Sequence, residues 1–197
     1  MTFRLGLTGS IGMGKSTTAQ MFVEEGCALW DADAAVHRLY ASGGGAVAPI
    51  AARFPAAIED GAVSRERLKD IISDDRGALQ EIEKIVHPLV ARDRQEFLKN
   101  CSDDICVFDI PLLFETGGDK SMDAVVCVTV SPQLQRERVL SRGTMTEAQF
   151  DAMRKKQLPD ETKRQCADYV IETDTLEHAR KQVQAVLAEI RKKISDA

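Results

Sequence analysis

Gly9-Ser10-Ile11-Gly12-Met13-Gly14-Lys15-Ser16, a GxxxxGK spacing completed by a hydroxyl residue, follows directly on the apolar run Phe3 to Leu7. A strand, a glycine loop and then a helical pattern is the arrangement that cradles nucleotide phosphates. Converging backbone N–H donors need a chain that turns tightly with nothing projecting into the anion, and glycine permits this. Lys15 would bring a mobile positive charge to the β/γ oxygens, and the Ser16 hydroxyl suits the Mg²⁺ that accompanies the nucleotide. The N-terminus of the following helix adds partial positive charge. The competing reading, a Gly-rich turn that happens to contain lysine, leaves the strand before it and the helix after it unexplained.

Outward from the loop, strands and helices alternate. Lys15 to Glu25 reads as a helix closed by Gly26, and Cys27-Ala28-Leu29-Trp30 as a short strand ending at Asp31-Ala32-Asp33. From Ala34 to Asn100 the pattern is helical, broken by Gly43-Gly44-Gly45, Pro55, Gly61 and Pro88, with no strand of convincing length. Ile105 to Ile110 and Ala124 to Val130 read as buried strands. Helices over Pro132–Arg142 and Glu147–Lys156 follow, the second with a capping box from Thr146 and Gln149. Tyr169-Val170-Ile171 is the last strand, and Leu176 to Ile194 the last helix, with Leu176, Val183, Val186, Leu187 and Ile190 at helical spacing. Apolar strands separated by helices imply the α/β class, a parallel sheet covered on both faces.

The chain has 197 residues, enough for one domain or one domain with an insertion. Its formal net charge of −5 argues against a general nucleic-acid binder, whose footprint would be basic. No apolar stretch reaches membrane-spanning length and no signal-peptide pattern opens the chain, so a cytoplasmic protein with no membrane partner is expected. The five cysteines form no CxxC pair and read as reduced thiols acting as small hydrophobes.

Ligands of such sheets collect at the carboxyl ends of the strands, where the phosphate loop, Asp31-Ala32-Asp33 and Asp109-Ile110-Pro111 fall. Carboxylates beside a triphosphate serve as Mg²⁺ partners or as a base for an attacking hydroxyl. For Asp31 or Asp33 the competing role is a helix N-cap, with Asp33 placed to cap a helix starting at Ala34; for Asp109 it is a solvated strand end. Residues 131–165 carry eight Lys or Arg against five acids. Arg138 and Arg142, four apart, share one helical face and could close over phosphates in forked contacts, or simply form a solvated basic face.

Guanine-reading switches need Asn-Lys-x-Asp, and the single asparagine, Asn100, precedes Cys101. A small α/β chain with a basic lid suggests a kinase acting on a small molecule. Taken in order, Leu7 to Ser16, Asp31-Ala32-Asp33, Ile85-Val86-His87-Pro88, Asp109-Ile110-Pro111-Leu112-Leu113-Phe114-Glu115, Arg138, Arg142, Gln157 and Ala167-Asp168-Tyr169-Val170-Ile171 resemble the dephospho-coenzyme A kinase family. The resemblance runs from about residue 3 to 190. It implies transfer of the ATP γ-phosphoryl group to the ribose 3'-hydroxyl of dephospho-CoA. It also implies a P-loop kinase core with a five-stranded parallel sheet flanked by helices, a helical acceptor-binding insertion and a helical lid. As one domain, 1–197 would then comprise a core (1–33, 101–130 and 165–197), an acceptor-binding region (34–100) and a lid (131–164).

Carried over by position, Gly12, Met13, Gly14, Lys15, Ser16 and Thr17 would hold the ATP phosphates and Ser16 the Mg²⁺. Asp33 would be the base, with Lys15, Arg138 and Arg142 also catalytic. Asp31, His87, Asp109, Pro111 and Leu112 would meet the acceptor. His87, a lone histidine before a proline, equally suits a packing or hydrogen-bonding role. Where the family usually has Asn and Gly after the last strand, near the adenine, this chain has Glu172-Thr173-Asp174-Thr175. A monomer is expected, with no nucleic-acid partner. The alternative function is another small-molecule or nucleoside-monophosphate kinase on the same core; a nucleotide sensor without chemistry would need neither the base nor the lid arginines.

Overall fold

Phe3–Thr8 forms strand β1, buried from Leu5 onward, and its apolar side chains seat it at the centre of the sheet. The computed structural model describes residues 2–196. In chain order the other strands are β2 (Ala28–Asp31), β3 (Ile58–Glu59), β4 (Ala62–Val63), β5 (Ile105–Asp109), β6 (Ala124–Thr129) and β7 (Tyr169–Glu172). The helices are α1 (Lys15–Glu24), α2 (Ala32–Tyr40), α3 (Val47–Arg53), α4 (Arg65–Asp74), α5 (Ala78–Asn100), α6 (Pro132–Ser141), α7 (Glu147–Lys156), α8 (Asp160–Cys166) and α9 (Leu176–Ser195). The chain divides into two compact units, Met1–Trp30 with Cys101–Ala197, and Asp31–Asn100.

The larger unit is built on a five-stranded sheet in the order β2-β5-β1-β6-β7. β1 runs parallel to β5 and β6, and β6 parallel to β7, with Leu7 opposite Asp109 and Thr129 opposite Glu172. Every residue of β5 is buried, as expected of a strand covered on both faces. The core joins Leu5, Leu7, Val107, Val126, Val128 and Ile171 to Phe22 of α1 and to Val183, Leu187 and Ile190 of α9. Strand order departs from chain order between β1 and its neighbours, so the loops after β1 and β5 flank the switch point where ligands of such sheets bind.

The smaller unit packs Ile50, Phe54, Val63, Leu68, Ile82 and Val86 into its own core. The expected break at Pro88 does not occur: α5, 23 residues long, runs through it. Ala78, Ile82 and Val86 recur every four residues on its buried face, with Ile85, Leu89 and Val90 packed beside them. That burial, about 1.5–3 kcal/mol for each large aliphatic side chain, outweighs the roughly 3 kcal/mol that an internal proline costs. Gly61 marks more than a break. Asp60 and Gly61 both have positive φ, 50° and 76°, and form the two-residue turn of the β3–β4 hairpin.

One further boundary and one buried position differ from expectation. α2 begins at Ala32, because the Asp31 carboxylate caps it by accepting the Ala34 N–H at 2.8 Å; Asp33 therefore lies inside the first turn. Leu176 is 68% exposed at the start of α9, and Ala179 takes the place expected of it on the buried stripe. The capping box at Thr146 and Gln149 is present as read. Cys27, Cys127 and Cys166 are free, and burial pushes the Cys27 thiol up to about 11 and that of Cys127 up to about 12. Cys101 and Cys106 bring their sulfurs together with Cα atoms 7.5 Å apart, wider than a relaxed disulfide spans.

Candidate active site

The glycine loop runs from the end of β1 into α1, with Gly12 and Gly14 in the left-handed region at φ 78° and 85°. Neither tolerates a side chain. A Cβ on Gly12 would stand 2.5 Å from Val139 Cγ2, and one on Gly14 would stand 3.0 Å from Thr173 Oγ1. Met13 is buried, whereas Ser16 and Thr17 are exposed at the first turn of α1. Successive backbone N–H groups at a helix N-terminus are a favourable place for an anion.

Lys15 Nζ is hydrogen-bonded to the Asp109 carboxylate at the end of β5. Asp109 is 1% exposed, which rules out the solvated strand end weighed for it. A buried carboxylate holding the loop's lysine keeps that ammonium beside the cradle, from which it can transfer to phosphate oxygens. Beyond Asp109 the chain turns through Pro111, whose carbonyl accepts from Thr8 Oγ1 and from Lys163 Nζ, both at 3.1 Å. Lys163 is fully buried and also meets Glu115 Oε1 at 2.9 Å. Burial opposes ionisation of Glu115, but hydrogen bonds from Lys163 and the Leu158 N–H outweigh it and hold the carboxyl below its usual range. Leu112 on the same turn is exposed, while Leu113 is buried.

On the other side of the loop, Thr173 explains the unusual segment after β7. Its hydroxyl donates to the Met13 carbonyl at 2.7 Å and accepts from Arg138 at 3.0 Å. A second Arg138 nitrogen reaches the Thr173 carbonyl at 2.5 Å. Thus Arg138 is anchored to the strand end. A cavity of about 320 Å³ opens here, lined by Gly14, Thr17, Arg138, Arg142, Thr173 and Thr175, with the exposed Leu176 contributing an apolar wall. Arg142, exposed at the C-cap of α6, faces the same cavity as Arg138, so the pair shares a face as its spacing required.

In the smaller unit, Asp31 is half-buried and engaged as a cap, Asp33 is an exposed carboxylate in the first turn of α2, and His87 is exposed on α5 rather than packed in the core. Sequence reasoning gave no role to Thr173, Gln135 or Lys163. Lys163 entered only in the count of basic residues over 131–165, with nothing to set it apart from its neighbours.

A glycine loop entering a helix, with its lysine held at the mouth of a parallel sheet, is the apparatus of nucleotide phosphoryl transfer, and it places the protein among the P-loop kinases. The comparison with known proteins narrows this class. The chain belongs to the dephospho-CoA kinase family, whose sequence pattern matches residues 3–178. It is 67% identical over 191 residues to the dephospho-CoA kinase of Ruegeria pomeroyi and 59% identical over 189 residues to that of Cereibacter sphaeroides, covering 97% and 96% of each chain respectively. A crystal structure from Thermus thermophilus superposes with a TM-score of 0.85 at 30% identity, covering 95% of this chain and 97% of that one. The dephospho-CoA kinase of Campylobacter jejuni shares the fold, with a TM-score of 0.72 at 23% identity over 98% of this chain and 99% of that one. The protein is accordingly an ATP-dependent kinase. No described helix is long and apolar enough to cross a membrane.

Proposed function

We propose that this site moves the terminal phosphoryl group of ATP to the ribose 3'-hydroxyl of dephospho-CoA, giving coenzyme A and ADP. The observation that carries the reading is the Lys15 ammonium held on buried Asp109 beside the glycine cradle, in a chain of this family. The loop from Gly12 to Thr17 receives the phosphates. Lys15 passes from Asp109 to the β/γ oxygens, where it neutralises charge that builds up as the bridging P–O bond breaks. Arg142 and Arg138 border the nucleotide's cavity, and their guanidinium forks suit phosphate oxygens.

Asp33 takes the proton of the ribose hydroxyl as its oxygen bonds to phosphorus, and the electron pair of the broken bond leaves on ADP. Its support is that Asp31 supplies the α2 cap, so that Asp33 is an exposed carboxylate with no capping duty. Asp31, His87, Asp109, Pro111 and Leu112 are assigned to the acceptor. The exposed Ser16 hydroxyl is a hard oxygen donor of the kind Mg²⁺ accepts alongside substrate phosphates and water. That ion would supply charge neutralisation on the phosphates. The test is ATP consumption with Mg²⁺ and a panel of acceptors. Turnover with dephospho-CoA far above that with nucleoside monophosphates, shikimate or gluconate is expected; preference for any of those would overturn the assignment.

A further inference from the structure

Ile11, on the outer side of the phosphate loop, has both its peptide groups held by glutamines. Gln135, on the first turn of α6 and 3% exposed, donates its Nε2 to the Ile11 carbonyl at 2.7 Å. Gln157, which caps the end of α7, accepts the Ile11 N–H through Oε1 at 3.2 Å. A backbone N–H only donates and a carbonyl only accepts, so the orientation of each side-chain amide is fixed by its partner. The chain between the two glutamines, 136–156, is the rest of α6, the turn at Gly143 and α7.

The planarity of the peptide unit gives these contacts a consequence. The Ile11 carbonyl and the Gly12 N–H belong to one trans peptide and point in opposite directions. Holding the carbonyl outward on Gln135 therefore aims the Gly12 N–H inward, where it is the first of the donors assigned to the phosphates. The Ile11 N–H likewise shares a plane with the Ser10 carbonyl, which accepts the Met13 N–H at 3.2 Å and closes the loop's first turn. The flanking wall leaves little slack, since a Cβ on Gly12 would also stand 3.1 Å from the Gln135 carbonyl.

We infer that Gln135 and Gln157 are positioning residues that fix the phosphate loop to both ends of the helical lid and set the direction of its first phosphate-binding N–H. The inference rests on the reading of this loop as the ATP site. Both glutamines are engaged with the loop backbone through Ile11. Loop geometry and lid position are thereby one variable: the lid cannot swing about its ends without turning the Ile11 peptides, and a loop filled by phosphate holds both ends still.

The test compares steady-state kinetics and melting of the parent with Gln157→Leu, Gln157→Glu and Gln135→Glu. Gln157→Leu removes the acceptor of the Ile11 N–H. Gln135→Glu removes the donor to the Ile11 carbonyl. Each should raise KM for ATP about tenfold, the scale of orphaning one buried peptide group, while KM for dephospho-CoA changes less than about twofold. Gln157→Glu keeps an acceptor and should stay within about threefold of the parent. The two glutamate variants add the same charge beside the same residue, so charge alone would make them equal. Equal KM for ATP in those two variants, an unchanged KM in Gln157→Leu, or a lowered melting temperature with no change in KM would each overturn the proposal. If Gln135→Glu fails to fold, Gln157→Leu against Gln157→Glu decides the same question. A parent that does not turn over ATP would overturn the proposed function, and the clamp with it; an active parent with indifferent variants overturns the clamp alone.

Discussion

Lys163→Met should destabilise the protein at neutral pH, and by less as the pH falls. Lys163 is fully buried, donating to the Pro111 carbonyl at 3.1 Å and to Glu115 Oε1 at 2.9 Å. Without it, Glu115 retains the Leu158 N–H at 2.9 Å, and its Oε2 has no hydrogen-bond partner among the described residues. Breaking a buried pair from one side costs about 3–5 kcal/mol. The Glu115 side chain is 16% exposed, which puts the expected loss near the lower end, about 3 kcal/mol. For a chain of this size that is roughly 6–12 °C in melting temperature.

The pH dependence supplies a sign. In the parent, Glu115 titrates below its ordinary value, so it contributes stability above the unfolded pKa of about 4.3 and loses it as pH falls through the folded pKa. In Lys163→Met the carboxylate is buried without its cation, its folded pKa rises, and ionisation becomes a penalty that protonation relieves. Melting followed by circular dichroism at pH 7 and pH 5 should show the gap between variant and parent narrowing at the lower pH. Adding Glu115→Gln to Lys163→Met should recover part of the loss at pH 7. A loss under about 1 kcal/mol, or a gap that widens on acidification, would refute the account of this pair.

Lys15→Ala should lower kcat roughly a hundredfold or more, the scale for removing one transition-state donor, in a steady-state ATP assay; turnover within threefold of the parent would remove the loop from the chemistry. It should also lower the melting temperature, because Lys15 is a partner of buried Asp109. Asp33→Asn should depress kcat by on the order of a hundredfold with melting unchanged, whereas Asp31→Ala should cost about 1 kcal/mol of stability through the lost α2 cap. The reverse pattern would exchange the two roles. Iodoacetamide at pH 8, followed by peptide mass mapping, should label exposed Cys166 well before Cys27 or Cys127, whose buried thiols titrate at about 11 and about 12; early labelling of either buried thiol would count against their packing.

The fold was legible where one period or one loop decided the local structure. The glycine spacing fixed β1 and α1, the continuous apolar runs fixed β5 and β6, and Thr146 with Gln149 fixed the start of α7. Pro88 misled because proline's local cost is visible in sequence, while the aliphatic face that outweighs it exists only once α5 is packed. The aspartates of the Asp-Ala-Asp turn differ in the same way. Both residues have the chemistry of a cap, and only the helix start one residue after Asp31 decides which one serves.

The contacts that sequence could not show are those that join distant segments, even where, as at Gln157, the residue itself belongs to the family pattern. Thr173 reaches Met13 across 160 positions, Gln135 reaches Ile11 across 124, and Gln157 reaches Ile11 across 146. Each ends on a backbone group of the glycine loop, not on another side chain, so no complementary residue marks the pair. Glycines make that dependence unavoidable. A chain free enough to take up φ 78° and 85° has no side chains at those positions to hold it there, and its shape must be imposed from outside by donors and acceptors aimed at its peptides. The motif therefore states that phosphate can be bound, while the loop's rigidity is written in glutamines and a threonine far along the chain.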